Sequence, residues 1–189
     1  MIIGASGARS SRTADLERKL VHHCSPALAG LKPANMFVYR EGADAGENPD
    51  GSAALGALDS TKFAHELGIC RKKLEPCGVR IEILARRKTG LLLYVYRPTM
   101  LREYLAQPEV FRYLQDEGYD PSDLSACIAK LHRRICGTDL AATLSGSCAF
   151  PHEIGFFLGY PYDDVVGFIE NKGENSLCSG CWKVYSRAR

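Results

Sequence analysis

Pro151-His152-Glu153 sets an imidazole beside a carboxylate where apolar spacing predicts a helix to begin, just after Ser145-Gly146-Ser147-Cys148. A helix start presents unpaired N–H groups and a partial positive charge, which suits a carboxylate or phosphate. His152 would then act as general acid or base, oriented by Glu153 or another carboxylate. The same residues also satisfy ordinary helix-start chemistry, with Pro at the first position, an acid in the first turn and His as a hydrogen-bonded cap.

His22-His23-Cys24-Ser25-Pro26 is a second grouping. A cysteine just before a helix start and beside imidazoles has two of the features that lower a thiol pKa and make a nucleophile. The alternative is a buried small hydrophobe with Ser25 as an N-cap. A Cys-x5-Arg phosphate loop is not supported, because position 30 is Gly and the next cation is Lys32. The candidate catalytic residues are therefore His152, Glu153 and Cys24, and the candidate ligand-binding groups are His23, Ser147, Lys32 and Asn35.

Cys178-Ser179-Gly180-Cys181 is a C-x2-C pair, two ligands short of a tetrahedral zinc site. His132 and Cys136 lie four apart on an expected helix and would complete a Cys3His set by folding against it. A thioredoxin-like role is disfavoured because a strand is expected after this motif, where redox chemistry wants a helix. Arg71-Lys72-Lys73 and Arg86-Arg87-Lys88 are basic runs at a helix end and a turn. They lack the aromatic-studded face of a nucleic-acid binder, so none is expected.

The elements that must position these residues follow from periodicity. Leu16, Leu20 and Val21 recur at helical spacing behind a possible cap at Thr13, predicting a helix to about Cys24 that Pro26 interrupts, with one further turn closed by Gly30. Met36 to Arg40 reads as a strand, and Ser60 to Lys73 as a helix with Phe63, Leu67 and Cys70 on one side. Val79, Ile81 and Ile83 alternate with Arg80 and Glu82, Leu91 to Tyr96 is apolar throughout, and a polar turn ending in Gly90 joins them as a hairpin. Beyond Pro98, helices are expected over Met100–Ala106, Val110–Asp116, Leu124–Cys136, Glu153–Gly159 and Asp163–Asn171, with Asp123 and Asp163 as caps. Cys181 to Tyr185 alternates as a last strand. Phe156, Phe157, Phe168 and Trp182 read as core. The expected fold is α+β: a small, mostly antiparallel sheet of about four strands with helices packed on one face.

The chain has 189 residues, 46% of them hydrophobic, and a formal charge of +2. That is enough to bury one core and too little charge to create a global field for nucleic acid or an anionic membrane. Residues 1–12 are expected to be disordered and 13–189 to form one domain with a mobile loop at about 41–58. No apolar run approaches a bilayer span and no secretory signal is apparent, so a cytoplasmic location is expected, with the eight cysteines as free thiols.

Three segments together resemble a bacterial family of unknown function, DUF3793. They are His23-Cys24-Ser25-Pro26 through Leu28 to Asn35, Phe150 to Gly155 with Leu158-Gly159-Tyr160-Pro161, and Trp182-Lys183-Val184-Tyr185. The resemblance covers about Leu16 to Tyr185. It implies an origin among anaerobic bacteria, in keeping with reduced thiols, and brings no activity with it. The residues leave three functions open: a small enzyme or ligand-binding protein with a polar pocket at the Pro151 helix, its ligand small and anionic; a noncatalytic metal- or thiol-dependent sensor or partner-binding module using Cys178 and Cys181; and a protein acting through surface contacts alone. No cofactor is indicated.

Overall fold

The computed structural model describes residues 7–40, 60–87, 90–137, 150–180 and 182–186. It has an α+β fold and its contacts divide the chain into two compact units, 1–31 with 35–96 and 32–34 with 97–189. Among the described residues, no helix is long and apolar enough to cross a membrane. The expected loop at 41–58 lies outside the described residues.

The first unit contains helices α1 (Gly7–Leu28) and α2 (Ser60–Leu74) and strands β1 (Ala34–Tyr39), β2 (Arg80–Arg87) and β3 (Gly90–Tyr96), in sheet order β1-β3-β2. Leu16, Leu20 and Cys24 from α1 and Phe63, Leu67 and Cys70 from α2 share one core with Phe37, Ile81, Leu91, Leu93 and Val95 of the sheet. The helical and two-residue periods of the sequence thus meet on one face. Leu92, Tyr94 and Tyr96 are also buried, as the unbroken apolar run of β3 requires. β2 and β3 pair antiparallel, from Arg80 opposite Tyr96 to Arg87 opposite Gly90, and Gly90 has φ +132°. The expected hairpin is present. Its register shifts between Ile83 and Ala85, making Leu84 a bulge.

Two expectations for α1 are corrected. It begins at Gly7 instead of Thr13, and it runs through Pro26 to Leu28 instead of stopping there. Proline removes one N–H and crowds the preceding turn. Here the cost is limited because the ring falls near the helix end, where neighbouring groups find partners. Ser25 Oγ donates to the Val21 carbonyl, and the Ala27 N–H donates to Asn35 Oδ1 at 3.1 Å.

The second unit contains α3 (Pro98–Leu105), α4 (Pro108–Asp116), α5 (Leu124–Ile135), α6 (Ile154–Phe157) and α7 (Tyr162–Glu170), and a two-stranded hairpin of β4 (Cys178–Ser179) and β5 (Lys183–Val184). Pro98 and Pro108 open α3 and α4, where a missing N–H costs nothing. Asp123 caps α5 by accepting from the Ser125 and Ala126 N–H groups at 2.8 and 3.0 Å. Leu101, Leu114, Leu131, Phe156, Phe157 and Val165 are fully buried.

Three boundaries here differ from expectation. α6 has four residues, because Gly159 turns left-handed at φ +72° and the Tyr160 N–H returns to the Gly155 carbonyl. Asp163 lies in the first turn of α7 while Pro161 occupies the cap. The last strand is only Lys183–Val184, and it pairs with β4 rather than joining the larger sheet.

Candidate functional site

Pro151 to Glu153 forms a turn ahead of α6, and it separates the two side chains expected to cooperate. Glu153 is buried, while His152 is exposed between the rings of Phe150 and Phe168, at 5.9 and 5.2 Å between centroids. Glu153 Oε1 accepts from the Tyr119 hydroxyl at 2.7 Å and lies 2.6 Å from Arg134 Nη1, which also reaches Glu117 Oε2 at 3.0 Å. Burial, and then the Glu153 charge, raise the Tyr119 hydroxyl pKa, so that group stays a proton donor. This is a buried, hydrogen-bonded ion pair that fixes the turn to α5. Glu153 is not arranged to orient His152.

The short helix also offers no anion cradle. The N–H groups of Ile154, Gly155 and Phe156 already donate to the carbonyls of Pro151, His152 and Glu153 at 3.2, 3.1 and 3.0 Å.

What the second unit does assemble is an aromatic cluster around Phe168. Trp182 stacks on Phe168 at 5.7 Å and on Tyr160 at 3.9 Å with a 6° angle between planes, and Tyr185 meets Phe168 edge-on at 6.4 Å. Lys32 Nζ sits 3.9 Å from the centre of the Tyr160 ring, a cation–π contact. Two glycines make the packing possible. A Cβ on Gly155 would lie 3.1 Å from Trp182 Cη2, and one on Gly167 would lie 2.6 Å from Tyr185 Cβ. Buried Asp164 fixes the C-terminal segment by accepting from the Tyr185 and Ser186 N–H groups at 2.8 and 3.0 Å. Among the described residues, Trp182 Nε1 and the Tyr185 hydroxyl oxygen are buried atoms with no hydrogen-bond partner.

The sequence named His152 and Lys32 as site residues, took Phe168 and Trp182 for core, gave Tyr160 and Tyr185 only within the segments of resemblance, and did not single out Asp164. Glycines inside helical patterns, at 155 and 167, were the available signal for close approach.

The remaining candidates fall elsewhere. Cys24 belongs to the first unit, is fully buried, and burial pushes its thiol up to about 12, the opposite of an activated nucleophile. His23 stacks on Phe37 at 4.8 Å, and burial followed by His22 and Lys19 lowers its pKa. Asn35 is engaged with Ala27 in the same unit, and Ser147 lies outside the described residues. Arg71 donates to the Ile81 carbonyl at 2.8 Å and Lys73 pairs with Glu17 at 2.5 Å, so part of one basic run is already neutralised.

Among the described residues, Cys24, Cys70, Cys127 and Cys178 are free thiols, and no group of three or more His, Cys, Asp or Glu is placed to hold a metal. Cys178 is exposed in β4, and Cys181 lies outside the described residues, as does Cys148. His132 and Cys136 are exposed together at the end of α5, with Sγ 3.9 Å from Nε2.

No curated protein and no solved structure matches the chain. A family model described as "Protein of unknown function (DUF3793)" matches residues 20–189, a stretch that includes the first unit's core apart from Leu16, the second unit's core and the whole aromatic cluster. The chain belongs to the DUF3793 family.

Proposed function

We propose that this is a cytoplasmic bacterial ligand-binding protein whose second unit takes a small anionic ligand at the aromatic cluster around Phe168. The observation that carries the reading is the pair of buried polar atoms, Trp182 Nε1 and the Tyr185 hydroxyl oxygen, with no partner among the described residues. A buried polar group left unpaired costs about 1–3 kcal/mol, and native interiors keep few of them. An indole N–H can only donate and a phenol readily does, so the complement is a ligand rich in acceptor oxygens. His152 at the exposed margin and Lys32 on the Tyr160 ring favour negative charge on that ligand. Binding is favoured over catalysis because Glu153 is committed to Arg134 and Tyr119, and the Cys24 thiol is held protonated.

Trp182 is the only tryptophan in the chain, so its emission reports on the cluster directly. Titration with acetate, benzoate, citrate and inorganic phosphate is expected to give a saturable emission change and a higher unfolding midpoint with at least one of them. Tyr185→Phe is expected to weaken both effects. Trp182→Phe keeps a ring and removes the donor, so it is expected to abolish the ligand-induced rise in unfolding midpoint, whatever its own packing cost. A rise of native size in both Trp182→Phe and Tyr185→Phe would mean that neither donor meets the ligand, and the reading would fall.

A further inference from the structure

We infer that His132 and Cys136 form a two-ligand surface site for a thiophilic divalent cation such as Zn2+ or Cd2+. The inference is independent of the ligand site proposed above. The residues are spaced i, i+4 at the end of α5, so their side chains rise from one face. Their Sγ and Nε2 atoms lie 3.9 Å apart. A tetrahedral ion bound at its usual distances from thiolate sulfur and imidazole nitrogen separates those atoms by roughly 3.6 Å. The pair therefore closes on an ion with a shift of a few tenths of an ångström.

Three features of the surroundings support a cation here. Both side chains are exposed, so an ion reaches them without opening the fold. The opposite face of α5 is anchored by buried Leu124, Cys127 and Leu131, which holds the two ligands on a rigid element. The helix ends at this point, where its dipole places partial negative charge. Of the neighbouring cations, Arg134 is turned toward Glu117 and Glu153, which offset its charge. On binding, the Cys136 thiol releases its proton to solvent as the sulfur–metal bond forms, and His132 supplies the lone pair of Nε2. Two positions on the ion stay open to water or to a donor from another molecule.

The test is a Cd2+ titration of the full chain, followed by thiolate-to-metal charge-transfer absorption, in the native protein and in the variants C136S, H132Q and C178S. A saturable band is expected in the native protein and in C178S. C136S should abolish it, and H132Q should weaken binding by at least about tenfold, the loss that even an outer-sphere change can produce. Zn2+ should raise the unfolding midpoint of the native protein and not that of H132Q. The proposal is overturned by the absence of a saturable band. It is equally overturned by a band that survives C136S and disappears in C178S, or by H132Q binding with native affinity, which would indicate a lone thiol.

Discussion

In the first unit, the residues that looked reactive are absorbed into packing. Cys24 and Cys70 lie in the same apolar core as Leu16, Phe63 and Leu93, and burial raises both thiol pKa values, to about 12 and about 11. In the second unit, polar groups enter the interior with partners for some and none for others. Glu153, Arg134 and Tyr119 satisfy one another, while Trp182 Nε1 and the Tyr185 hydroxyl oxygen have no bond among the described residues. Cys24 and Cys70 are therefore accounted for by packing in the first unit. In the proposed reading the polar atoms left over after packing are the better marker of function, because their burial has a cost that the protein alone does not recover.

The largest test of that contrast is the buried ion pair. Glu153→Leu leaves Arg134 largely buried with only the half-exposed Glu117, and a loss of about 3 kcal/mol is expected by chemical denaturation. Adding Arg134→Met should recover most of it, since matched apolar groups often replace buried pairs at little cost. Equal losses in the single and double variants would show that the pair is not the anchor of the turn.

A smaller effect is expected at Cys24. Replacing its buried sulfur with a hydroxyl, Cys24→Ser, should cost about 1–3 kcal/mol and more than Cys24→Ala, because the hydroxyl brings a desolvation cost. The native thiol should resist alkylation until the protein unfolds. Rapid labelling of Cys24 in the folded protein would restore it as a nucleophile. Smaller again is His152→Gln, expected to change stability by less than about 1 kcal/mol because the side chain is exposed, while weakening anion binding at the cluster.

The smallest effect concerns pH. His23 has a folded pKa below 6.5, through burial and then the neighbouring His22 and Lys19. Its contribution is therefore present above 6.5 and lost as pH falls through the lower folded value, where the unfolded chain binds the extra proton first. His23→Gln should flatten that part of the stability profile. A steeper acid fall in the variant would reverse the sign.

The fold was legible wherever local physics decides it. The alternation from Val79 to Ile83, the turn at Gly90, the cap at Asp123 and the prolines opening α3 and α4 each act within a few residues. The candidate site was legible only at its edge. His152 could be named from its neighbours, but the partner of Glu153 at Tyr119 is 34 residues away, and nothing in the local pattern links them. Asp164 carried no local signal, yet it accepts from Tyr185 and Ser186, more than twenty residues on. Pro26 misled for the complementary reason: its usual penalty was softened by Asn35, which lies beyond the helix itself.

The bulge at Leu84 also bears on how the chain can vary in length. Ile83 opposes Leu93 and Ala85 opposes Leu92, so β2 carries one residue more than β3 across this stretch. Removing that one residue would join two stretches of ladder already in step, from Arg80–Ile83 to Ala85–Arg87, and every other cross-strand pair would keep its partner. Removing a residue between other paired positions of β2 would instead shift part of the ladder by one and turn its side chains to the opposite face. A single-residue deletion at 84 forfeits one buried leucine but preserves the alignment of the hairpin. It is thus the position where β2 can shorten without rewriting its inward and outward pattern.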